Sequence, residues 1–127
     1  MTQRFFIATR LPGFNEMTAW ARQHRGKSNK YALNKVMYES LIRDDIRKAK
    51  LKPVRGPVIL AFHWVESNAK RDYGNIRAGE KFISDALVQA KILSTDARKQ
   101  VIGFRDTFDI DKTNPGVFVM IEEEDNT

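Results

Sequence analysis

Apolar and β-forming residues gather in a few places along the chain, and their spacing predicts what each place becomes. Arg4-Phe5-Phe6-Ile7-Ala8-Thr9, closed by Leu11-Pro12-Gly13, predicts a first strand and a turn. Asn15 then predicts the cap of a short helix, Glu16 to Gln23, carrying Met17 and Trp20. His24 to Lys30 is polar, glycine-containing and cationic, the composition of a loop. From 31 to 50 the pattern turns helical: Leu33, Met37 and Leu41 recur every four residues beside Tyr38, Ile42, Ile46 and Ala49. This side is expected to pack, with Lys35, Arg43, Arg47, Lys48 and Lys50 in solvent. Pro53, Gly56 and Pro57 end the segment.

Val58 to Val65 is apolar at both alternating sets of positions, the pattern of a central strand covered on both sides, so it is expected in mid-sheet. After Ser67 to Arg71, Asn75 is expected to open one helix to about Lys91. Ile76, Ile83, Ala86, Leu87 and Ala90 share a stripe of it, whereas Lys81 and Asp85 fall roughly 140° and 180° away from Ile76. Val101 to Ile110 and Val117 to Ile121 predict two strands joined by a hairpin-type turn over Asp111 to Gly116. Residues 122 to 127 predict an acidic, frayed tail. The order β-α-α-β-α-β-β predicts one α/β domain over 1–127 with a small mixed sheet.

Composition narrows the class. The length suits a single core. The absence of cysteine removes disulfides and thiolate metal sites and suits the cytoplasm. No apolar run reaches the roughly 20 residues of a membrane span, and Met1 to Arg4 leads into a strand rather than a signal peptide, so a soluble cytoplasmic protein with no membrane partner is expected. The net charge of +6 is unevenly spread: +9 over residues 1–55, +3 over 56–105 and −6 over 106–127. A basic first half with an acidic end suits a surface that binds a polyanion, nucleic acid above all. Arg25, Lys27 and Lys30 would then be phosphate contacts, although lysine-rich segments are also ordinary solvated faces.

Most of the chemistry lies between 70 and 96. Phosphodiester hydrolysis calls for Mg²⁺ held by carboxylates, because hard cations prefer oxygen, and for positive charge where the transition state gathers negative charge. Asp72 after the central strand and Asp96 beyond the next helix can meet at one edge of a sheet, and Lys81 can steady charge on phosphate or orient a water. The same residues also have a plain structural reading, in which Asp72 pairs with Arg71, Lys81 pairs with Asp85 four residues on, and Asp96 caps the next element. His63 fits a hydrogen-bonded strand histidine better than a ligand, and Trp20 and Trp64 fit the core. The serines have no neighbouring constellation for nucleophilic catalysis. Neither GxxxxGK[ST] nor GxGxxG occurs, so no nucleotide cofactor is expected.

Arg71-Asp72-Tyr73-Gly74-Asn75, then Lys81 four residues ahead of Asp85-Ala86-Leu87, then Asp96, resembles the RusA family of Holliday-junction resolvases, whose motif is basic-D-x-D-N, a helical lysine, D-A-L and a late acidic pair. The similarity extends to its phage-borne branch through Leu11 to Glu16, Phe62 to Glu66, Gly103-Phe104 and Asp111 to Pro115. It implies a small α/β homodimer, encoded by a phage or prophage and acting in the bacterial cytoplasm, that binds a four-way DNA junction and nicks two strands symmetrically with Mg²⁺, for which Mn²⁺ substitutes. Carried over residue by residue, Asp72 and Asp96 are metal ligands, Lys81 is the catalytic lysine, and Lys70 and Arg71 contact DNA. Asn75 matches the motif asparagine, as a helix cap that steadies the loop. Two departures stand out: Gly74 replaces the second motif aspartate, and the late acidic pair is reduced to Thr95-Asp96. Either Asp85 or Glu66 stands in for the missing carboxylate, or metal binding is weaker, or the protein binds branched DNA without cutting it.

Overall fold

A computed structural model describes residues 1–22, 30–95 and 97–124. The elements follow in the order β1 (Thr2–Ile7), α1 (Phe14–Arg22), α2 (Lys30–Lys48), β2 (Val58–Glu66), α3 (Tyr73–Arg77), α4 (Glu80–Gln89), β3 (Val101–Ile110) and β4 (Gly116–Glu123). The α/β class and the expected order hold. No helix among the described residues is long and apolar enough to cross a membrane.

The four strands lie in the order β1-β4-β2-β3, so β2 is interior as expected, but its helix cover is on one face rather than both. It pairs with β3 in parallel and with β4 antiparallel. The segment 111–115 is therefore not a hairpin, because β2 separates the two strands it joins. The mostly apolar β2 takes the centre and both partners, and five residues reach easily across two strand spacings of about 4.8 Å each. The crossovers from β1 to β2 and from β2 to β3 run the same way across the sheet. Right-handed connections then put the helices on one face. Accordingly Ile42, Ile46, Ile76, Phe82, Ile83, Ala86 and Leu87 form one core cluster with Val58, Leu60, Phe62 and Trp64 of β2. His63, on the opposite face, has Nδ1 2.6 Å from Thr107 Oγ1, the strand histidine expected.

The helix expected from Asn75 to Lys91 is two helices, broken at Ala78 and Gly79. A Cβ on Gly79 would sit 3.2 Å from Leu11 Cβ and 3.3 Å from Pro12 O, so glycine lets the turn after β1 lie directly against the break. The predicted stripe nonetheless packs, with Ile76, Ile83, Ala86 and Leu87 all buried. In α1 the cap is not Asn15. Gly13 N donates to Glu16 Oε1 at 3.3 Å, the returning half of a capping box, and the helix starts at Phe14. In α2 the packing side also differs from the expected one. Glu39, Ile42 and Ile46 are buried, whereas Leu33, Met37 and Leu41 remain 67%, 49% and 41% exposed. Two apolar ridges compete for the core in this helix, and the β-branched pair Ile42 and Ile46 occupies it.

Candidate active site

The residues of the basic-D-x-D-N-like motif leave the C-terminal end of β2, where Glu66 is buried in spite of its charge. Arg71 explains how: Nε and Nη2 donate to Glu66 Oε1 and Oε2 at 2.7 and 2.8 Å, a two-pronged pair with both side chains only 10% exposed. Its Nη1 also donates to Leu11 O and to Glu16 Oε1, at 3.2 and 3.3 Å. Arg71, expected to touch DNA, thus ties β2, the turn after β1 and α1 into one unit. Glu66, a candidate stand-in ligand, has both oxygens engaged by it.

Asp72 follows on the surface as the N-cap of α3, with Oδ1 accepting from Asn75 N at 2.7 Å. The cap is the aspartate rather than Asn75, because the side chain that precedes the first helical residue reaches the free N–H groups of the first turn. Asn75 acts elsewhere, with its Oδ1 accepting from Asn15 N at 3.0 Å and so fastening the start of α1. Gly13 makes room for this contact, since a Cβ there would lie 2.4 Å from Asn75 Oδ1 and 2.7 Å from Arg71 Nη1. At Gly74 the surroundings are open. A Cβ there would meet only Asp72 Oδ1, at 3.7 Å, so a side chain at this position leaves the backbone beside the Asp72 carboxylate.

Breaking the helix brings Lys81 into the first turn of α4, 3.1 Å from Asp85. This is the i, i+4 pair of the structural reading. Asp85 is also 3.1 Å from Lys35 of α2, and Lys35 is 2.8 Å from buried Glu39, whose Oε1 accepts from Gln89 Nε2. This ladder joins α2 to α4: its Lys81–Asp85 and Lys35–Glu39 rungs have i, i+4 spacing, whereas Lys35–Asp85 links the two helices. Burial pushes the Asp85 carboxyl up, but hydrogen bonds from Lys35 and Lys81 outweigh it and hold it below its ordinary value. The hydrogen bond to Glu39 raises Lys35 in turn, against a smaller opposing effect of burial.

A pH dependence follows. Asp85 titrates lower in the folded chain than the 3.8 of a free carboxylate, so the unfolded chain takes up the proton first as the pH falls. Its contribution is complete above that value and is lost through the pH range below it. Lys35 contributes in the opposite sense, up to pH 10.5 and decreasingly above it. Circular dichroism of acid unfolding checks the first statement. Asp85→Asn is expected to be less stable than the native chain at neutral pH and to lose stability less steeply below about pH 4.

Asp96 lies outside the described residues, as do Arg25 and Lys27. Its flank is well anchored: Gln100 Oε1 accepts from Ser94 N and Thr95 N at 2.8 and 3.2 Å, and Val58 N donates to Gln100 O at 2.7 Å. Thr95 therefore stands at the Val58 end of β2 and Asp72 beyond the Glu66 end. The eight steps between those ends span about 26 Å. Among the described residues, no three His, Asp or Glu side chains are grouped so as to hold a metal ion. Lys70 and Lys30 are exposed. Beside the Glu66–Arg71 pair opens a cleft of about 350 Å³, lined in part by Asn68, Tyr73, Phe108 and Asp109. Tyr73, 67% exposed, stacks on Phe108 there at 4.2 Å between ring centres.

No protein-family model and no curated protein sequence matches this chain.

Proposed function

We propose that the chain is a RusA-like, Mg²⁺-dependent endodeoxyribonuclease, encoded by a phage or prophage, that resolves four-way or otherwise branched DNA in the host cytoplasm by paired nicks. The observation that carries this reading is the Arg71-Asp72-x-Gly74-Asn75 string at the exposed start of α3. Position 74 there opens beside the Asp72 carboxylate at 3.7 Å, as the two acids of a D-x-D-N motif would. Lys81, 58% exposed at the start of α4, supplies a positive charge that DNA can reach. Lys70 supplies a backbone contact, and binding should weaken with salt through counterion release.

The described residues of one chain do not by themselves make a complete Mg²⁺ site. Mg²⁺ would supply charge neutralisation to a hydrolysed phosphodiester, with Asp72 and Asp96 as the candidate oxygen donors. Asp96 lies outside the described residues, and Asp72 stands exposed at the start of α3. The resemblance implies a homodimer, whose two-fold axis would suit the near two-fold symmetry of a four-way junction.

Gly74 favours a second reading, a branched-DNA-binding protein that has kept the fold and lost the chemistry. A hard cation binds more weakly with one carboxylate fewer. One experiment separates the two: an end-labelled synthetic four-way junction incubated with the protein in Mg²⁺ and in Mn²⁺, beside a Gly74→Asp variant. Symmetric paired nicks by the native chain are the expected result. Cutting by Gly74→Asp alone would favour the binding protein. Neither cutting nor any preference for the junction over linear duplex would overturn both.

A further inference from the structure

We infer that the solvent face of α2 is where two copies of this chain meet, their α2 helices crossing antiparallel at Met37. The homodimer belongs to the reading above; the surface goes beyond it. Leu33, Val36, Met37 and Leu41 are exposed by 67%, 64%, 49% and 41%, and Ser40 is exposed among them. Four large apolar side chains on one face of one helix form a continuous stripe with no charge inside it, which isolated surface apolar residues do not. Trp20, half-buried and stacked on Tyr38 with ring centres 6.3 Å apart, extends the apolar surface onto α1.

The occupant follows from the order of residues. Taken about Met37 as a two-fold point, the stripe is its own complement: Leu33 falls opposite Leu41, Met37 opposite Met37, and Lys30 opposite Asp44. Apolar thus meets apolar and a cation meets an acid at each end, a match that a second copy satisfies without any other partner. The charges are free to make the exchange. Lys30 is exposed, and among the described residues Asp44 makes a surface ion pair with Arg47 at 3.1 Å, the kind that contributes little. Leu33, Met37 and Leu41 form one i±4 ridge, the row that packs between neighbouring helices.

The test uses the full chain without DNA. Light scattering after gel filtration is expected to give a two-chain mass for the native protein. Leu33→Asp/Met37→Asp is expected to give a one-chain mass with an unchanged circular dichroism spectrum. Lys30→Asp is expected to weaken the dimer about tenfold, and adding Asp44→Lys is expected to restore it. The chain has no cysteine, so Met37→Cys carries a single thiol. A short bismaleimide is expected to link its copies at least about tenfold faster than those of Phe118→Cys, a control equally exposed at 49% on the opposite sheet face. A one-chain mass for the native protein, or equal or faster linking at 118, would overturn the inference. Its failure is distinct from failure of the nuclease reading: a dimer through α2 that never cuts DNA refutes only the latter, and a junction-cutting protein that does not link at 37 refutes only the former.

Discussion

Replacing Arg71 by alanine should cost about 3 to 5 kcal/mol of stability and lower the unfolding midpoint by roughly 10 to 15 °C. The size of the effect comes from what the substitution leaves behind. Glu66 is 8% exposed at the end of the central strand, and both of its oxygens are held by Arg71. Without the guanidinium a carboxylate stays buried with its compensating charge gone, and the two bonds to Leu11 O and Glu16 are lost as well. A double variant, Arg71→Met with Glu66→Leu, should recover most of the loss, because removing both charges also removes the desolvation cost. Urea unfolding of the two variants decides it. Equal losses in both would show that the bonds to Leu11 and Glu16, rather than the buried pair, carry the effect.

The second large effect concerns rate. Asp72→Asn and Lys81→Ala are each expected to lower junction cutting by a factor of about 10² to 10⁴ while leaving junction binding within a few fold. Both substitutions spare the fold for reasons the structure makes plain. Asparagine caps a helix about as well as aspartate, so the bond from Asn75 N survives and only the charge is lost. Lys81 is mostly exposed, and a surface pair such as the one it makes with Asp85 contributes at most about 1 kcal/mol. Single-turnover cleavage and a gel-shift titration on the same junction separate rate from binding. Cutting at the native rate by Lys81→Ala would show that the lysine has no part in the chemistry.

Much of this architecture is legible in the chain. The two-sided apolar run at Val58 to Val65 announces a central strand, and the stripe from Ile76 to Leu87 announces a buried helix face. The places that resist such reading have physical causes. Periodicity cannot say which of two apolar ridges on α2 meets the core, because that depends on partners from α4 and the sheet. Pairing between β3 and β4 looks local because their connection is short, yet β2 offers both of them a better neighbour. At the candidate site the motif supplies the residues but not what each one does. That Arg71 neutralises Glu66 and that Asp72 caps α3 follow from where β2 ends, and the Lys35–Asp85 bond joins residues that no spacing rule relates.

The placement of β4 also governs how the chain can acquire its structure. Its pairing with β1 matches Thr2 to Glu122, and it fills the space between β1 and β2. While the chain is being made, β1 is therefore without a sheet partner until residues 116–123 have left the ribosome. Helices and the β2–β3 pair can assemble earlier, but the sheet closes only once β4 is present. Such long-range pairing slows folding and leaves an apolar strand open to wrong partners in the meantime.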